Sequence, residues 1–146
     1  MILETEPMNE YRRHDDDKEI IDVLHCIEID PHRSRRFRER FEDILEVKGW
    51  ITRYRIHANL SVTVTGARDL TAVCLQLGNV ARIFYDVLKL QYLHSSSQIS
   101  QGIIICPIES SGNRAYLDRL IRESEVFKDV ITVPFLAIGI EHGGPS

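Results

Sequence analysis

At 146 residues, 43% hydrophobic and 27% charged, the chain has the size and composition of one folded domain around a single core. Its formal net charge of −4 excludes a general pull toward polyanions, so any grip on phosphate has to come from a local basic patch. Three cysteines (Cys26, Cys74, Cys106) are an odd count that excludes a complete disulfide framework. With no signal peptide or membrane-length apolar run in view, they lead to the expectation of a reduced, cytoplasmic protein.

Residues 1–15 mix Glu, Pro, Asn and the start of an aspartate triplet without an apolar period, and predict a loose arm. From Asp16 to Ile27 the apolar residues Ile20, Leu24 and Ile27 recur at helical spacing, with aspartates at the positive end; Asp30-Pro31 then breaks the chain. A second helix is predicted from Ser34 to Lys48, with Phe37, Phe41, Ile44 and Leu45 on one face. Gly49 stops it in the left-handed conformation, and Trp50 is expected to pack back over its end.

From Ile51 to Thr65 the parity changes to two, with Thr52, Tyr54, Ile56, Val62 and Val64 against Arg53, Arg55 and His57, which predicts half-buried antiparallel strands. A turn over Gly66–Asp69 leads into 70–77, continuously apolar except for Thr71 and Gln76, as a central strand is. Helix three is predicted over Asn79–His94. It carries a core stripe of Val80, Ile83, Phe84 and Val87, and a second stripe of Ala81, Tyr85, Leu88 and Tyr92. Packing against the N-terminal helix and an interface with another subunit are the two alternatives for that second stripe. A polar loop (95–101), a buried strand (Gly102–Ile108), a helix (Asn113–Phe127) and a last apolar strand (Val133–Ile140) follow. The order α-α-β-β-β-α-β-α-β predicts an α/β fold with a mixed sheet over 16–141, flanked by the arm 1–15 and a tail 142–146.

Several blocks carry a family likeness: Arg36-Phe37 through Lys48-Gly49-Trp50, Leu75-Gln76-Leu77-Gly78-Asn79-Val80-Ala81-Arg82, Phe84-Tyr85-Asp86, Lys89-Leu90-Gln91-Tyr92, Gly102-Ile-Ile-Ile-Cys-Pro107 and the terminal Val133–Ile140. With the element order, they make residues 16–141 resemble the PD-(D/E)XK nucleases, and among these the BglII/BstYI-type type II restriction endonucleases. The resemblance implies a restriction-endonuclease-like core, a DNA substrate and a Mg²⁺ cofactor held by an Asp and a Glu. A water-positioning residue stands two places after the Glu. Carried over, that third position is Gln76, which matches; the Glu falls on Cys74 and the Asp on Thr65 (Thr63 with a different turn length). Neither is acidic, and Asp69 before the strand is the nearest displaced acid in sequence, with Glu42 and Glu46 on helix two as further candidates.

A hard divalent cation takes charged oxygen ligands, and metal-assisted hydrolysis needs that ion to acidify bound water. A buried thiol and a neutral amide supply neither, so no bound metal is expected, and Mg²⁺ only if the chain is active. His25-Cys26 and His32 match no zinc spacing, and Cys74 has no neighbouring His to make it a nucleophile. Arg33, Arg36 and Arg40, with Arg53 and Arg55 beyond, are the candidate phosphate contacts. Against this, Arg35–Glu39 and Arg38–Glu42 stand at i,i+4 and predict paired charge on a solvated face. Three functions are therefore weighed. One is a catalytically degenerate DNA-binding or assembly subunit, in the setting of a restriction or defence system and with weak sequence preference. The second is an active Mg²⁺-dependent endonuclease with displaced acids. The third is a protein–protein scaffold module. The partners expected are DNA and a second copy or another protein, with no membrane.

Overall fold

A computed structural model describes residues 2–28, 30, 33–109 and 116–141. In chain order these form β1 (Ile2–Met8), α1 (Asp15–His25), α2 (Ser34–Val47), β2 (Ile51–Arg55), β3 (Thr63–Arg68), β4 (Thr71–Leu75), α3 (Ala81–Ser95), β5 (Gln101–Pro107), α4 (Leu117–Val126) and β6 (Phe135–Glu141). The strands make one mixed sheet in the order β1-β6-β5-β4-β3-β2. The β4–β5 and β5–β6 pairs are parallel and joined by helices, whereas β1–β6, β2–β3 and β3–β4 are antiparallel.

Alternate residues of the central strands face opposite layers. On one side Val73, Leu75, Ile103, Ile105, Leu136 and Ile138 pack with Ile20 and Leu24 of α1 and Phe37, Phe41 and Leu45 of α2. On the other, Ala72, Cys74, Ile104, Cys106 and Ala137 meet Ile83, Val87 and Leu90 of α3 and Leu117 and Leu120 of α4. Burial on both faces is why these strands lose the period-two signature. Cys74 and Cys106 are buried free thiols, and Cys26 is exposed.

The end of α2 follows the sequence reading. Gly49 takes φ +91°, Trp50 donates its backbone N–H to Leu45 O at 3.0 Å, and its ring is buried. Its indole N–H reaches Glu19 Oε1 at 2.8 Å, and the Arg68 guanidinium lies 4.5 Å from the ring centroid.

Two expectations are corrected, and one of two open alternatives is removed. Residues 2–8, expected within the loose arm, form edge strand β1, whose ladder with β6 supplies the order that its alternation of exposed Glu and Ile with half-buried Leu3 and Thr5 does not advertise. The turn expected over 66–69 is shorter, because β3 continues to Arg68, which pairs with Thr71. Asp69 and Leu70 alone make the loop, Asp69 at φ +52°, a left-handed conformation that a short polar side chain tolerates. Finally, α1 lies on the far side of the sheet from α3 and does not cover the second stripe, so Tyr85, Leu88 and Tyr92 are exposed.

Pro31, His32, the expected start of helix four at Asn113 and the tail 142–146 lie outside the described residues. No described helix is long and apolar enough to cross a membrane.

Candidate functional site

The site begins where two strands part. The β3–β4 ladder runs from Arg68↔Thr71 through Ala67↔Ala72 to Gly66↔Val73 and stops there. At the next position Thr65 uses its side chain instead of its backbone, Oγ1 accepting the Leu75 N–H at 2.9 Å. β4 stays with β5, and the Gln76 N–H donates to Ile105 O at 2.8 Å. The divergence opens a cavity of about 470 Å³ lined by α2, β2, β3, the end of β4 and α3.

Helix α2 sends Arg38 across the gap. Its Nη2 donates to Leu75 O at 2.5 Å and its Nη1 to Thr65 Oγ1 at 3.4 Å. Phe37, Phe41 and Leu45, all without solvent exposure, fix the helix that carries it. One turn later Glu42 also lines the cavity and accepts from Arg53 Nε at 3.4 Å. The i,i+4 pair expected between Arg38 and Glu42 is replaced by these longer-range contacts, whereas Arg35–Glu39 forms at 3.2 Å on the surface.

The opposite wall is one face of α3, where Arg82, Tyr85, Asp86 and Lys89 follow the i, i+3, i+4, i+7 spacing. Asp86 is buried; its Oδ2 accepts from Gln76 Nε2 at 3.0 Å, and its Oδ1 lies 3.3 Å from Lys89 Nζ. Burial holds the Asp86 carboxyl above the usual range, opposed by Lys89 and then by the Gln76 hydrogen bond. Gln76 is fixed at both ends, since its Oε1 also accepts the Gly78 N–H at 3.0 Å. Beneath this floor the Cys74 thiol is pushed well up, first by burial and then by the Asp86 charge, and stays protonated.

Of the residues singled out from sequence, Thr63, Thr65, Gln76, Arg53 and Glu42 line the cavity, with Cys74 buried below it. Asp69 stands at the other end of β4, on the loop before Thr71. Arg33, Arg36, Arg40 and Arg55 are exposed and do not line it; Glu46 accepts from Thr52 at the surface. Sequence reasoning passed over Asp86, Lys89 and Arg82. The available signal was their shared face: polar residues at helical spacing beside two apolar stripes need a reason to be there.

The chain has the fold of a restriction endonuclease. Restriction endonuclease BglII in complex with a DNA 16-mer superposes with a TM-score of 0.84 at 16% identity, over all of this chain and 81% of the other. Free BglII gives 0.71 at 18% identity, over all of this chain and 82% of that one. A model of the restriction endonuclease BglII/BglIII family matches residues 7–140, and the chain belongs to that family. Comparison with curated proteins finds no match.

The residues present do not fit the divalent ion that the resemblance implies. Thr65 offers a hydroxyl, Cys74 a protonated thiol and Gln76 an amide; of the two carboxylates lining the cavity, Asp86 is taken up by Lys89 and Glu42 by Arg53. Among the described residues no group of three or more His, Cys, Asp or Glu is placed to hold a metal.

Proposed function

We propose that this chain is a DNA-binding member of its family that has lost phosphodiester hydrolysis. The observation that carries the reading is the lining of the cavity: Arg38, Arg53, Arg82 and Lys89 face two carboxylates, Glu42 and Asp86, each already paired with a cation. In a chain of net charge −4 this is a local basic concavity, suited to a phosphate backbone and unsuited to a metal. The BglII relative of the same fold is seen with DNA. Duplex DNA at low salt is expected to be retarded in a mobility shift, and supercoiled plasmid is expected to stay uncut in Mg²⁺ or Mn²⁺. Nicking in either ion, or no retardation at low salt, contradicts the reading.

An active enzyme with displaced acids is the second reading, favoured by Glu42 and Asp86 lining one cavity. The same plasmid assay decides between the two.

We also propose that a second copy covers the apolar groove formed by Ile56, Leu60, Val62, Tyr85, Leu88 and Tyr92. That groove abuts the site, with Tyr85 and Lys89 lining both. Leu88, 62% exposed, is the point to break. Leu88→Glu is expected to yield a monomer by sedimentation velocity where the native chain is a dimer; a native monomer at high concentration rejects the pairing.

A further inference from the structure

Resting on the DNA-binding reading, we propose that the site holds a phosphodiester without any metal, and that the Arg38 guanidinium is the resident cation of the site. The two positions that the resemblance gives to metal-binding acids flank the gap between β3 and β4, and Arg38 lies across that gap, bonded to Thr65 Oγ1 on one strand and Leu75 O on the other. A fixed positive charge therefore sits where an exchangeable one would need carboxylates. These contacts use two of the five guanidinium N–H groups, and the residue still lines the cavity.

Charge pairing shows which cations are left for a ligand. Arg53 is engaged by Glu42, and Lys89 by Asp86. Among the described residues Arg82 and Arg38 line the same cavity with no carboxylate at ion-pair distance, Arg38 acting on Asp86 only through its longer-range field. A phosphodiester carries one negative charge and two free oxygens, and two guanidinium forks from α2 and α3 match it from opposite walls. A guanidinium stays protonated at every working pH and has no exchangeable water to acidify, so such a site binds the backbone and does not activate water.

The test uses the full chain, in chelator throughout, with two probes. Thymidylyl-thymidine, a dinucleotide with one phosphodiester, is titrated while the arginine Nε–H resonances are followed by NMR. A labelled duplex is titrated by fluorescence anisotropy in chelator and again in Mg²⁺. The dinucleotide is expected to shift the Arg38 and Arg82 signals, and duplex affinity is expected to agree within about twofold between the two conditions. Arg38→Gln and Arg82→Gln should each weaken the duplex about tenfold and lower the slope of log K against log salt by about 1. Arg82 is exposed and bears on no core contact, so its variant keeps the test clear of folding effects. Duplex binding that ignores both substitutions, or that needs the divalent ion, overturns the proposal and leaves DNA binding standing. Shifts with the dinucleotide but no duplex binding do the reverse. Silence from both probes removes both.

Discussion

Placing at these positions the two acids that the resemblance implies, as Thr65→Asp with Cys74→Glu, is expected to create a divalent-ion site. The double variant's thermal midpoint should rise by about 8 °C in an excess of Mn²⁺, while that of the native protein does not move. The magnitude follows from linkage: ligand at a hundredfold excess over Kd adds about 2.7 kcal/mol, and a domain of this size gains about 2–4 °C per kcal/mol. The direction follows from burial. Cys74 is 1% exposed beside Asp86, so a Glu placed there without a counter-ion costs several kcal/mol, which a metal relieves. Arg38 competes for the same oxygens, and adding Arg38→Ala is expected to enlarge the shift. Metal-dependent plasmid nicking by the double variant is the accompanying readout. A folded double variant whose midpoint ignores Mn²⁺ would show that the gap between β3 and β4 has no relation to a metal site.

Phe41→Ala is expected to cost about 4 kcal/mol, a large part of the ~5–15 kcal/mol that holds a domain together. Phe41 has no exposed surface and packs α2 onto the sheet with Phe37 and Leu45. With a urea slope of about 2 kcal/mol/M, the denaturation midpoint should fall by about 2 M. Phe127→Ala, at a side chain 51% exposed just after α4, serves as the contrast and should stay within about 0.5 kcal/mol. The loss also reaches the site, because α2 holds Arg38 at the strand gap; DNA affinity should fall in Phe41→Ala even where it remains folded. A midpoint shift equal to that of Phe127→Ala would contradict this account of the core.

The central strands, α2 with its Gly49-Trp50 ending, and the alternation of strand and helix after β4 were legible because each rests on a local pattern. Strand β1 was not, because it gives the core little beyond Leu3 on one face and Met8 on the other, and its order comes from the β6 backbone. Thr65, Cys74 and Gln76, singled out by family likeness, stand at or beneath the strand gap. The charged walls escaped for a different reason. Arg38 and Glu42 are ideal partners on an isolated helix, and only the parting of β3 from β4 supplies the oxygens that draw Arg38 away. Asp86 and Lys89 look like ordinary surface charge until the cavity beside them is known.

The first strand lies antiparallel against the last, from Ile2 opposite Glu141 to Met8 opposite Phe135. Synthesis therefore delivers these opening residues to the ribosome exit long before their partner exists. Until then β6 is unmade and Leu3 has nowhere to settle, so final closure of the sheet belongs to the moments after translation has passed residue 141.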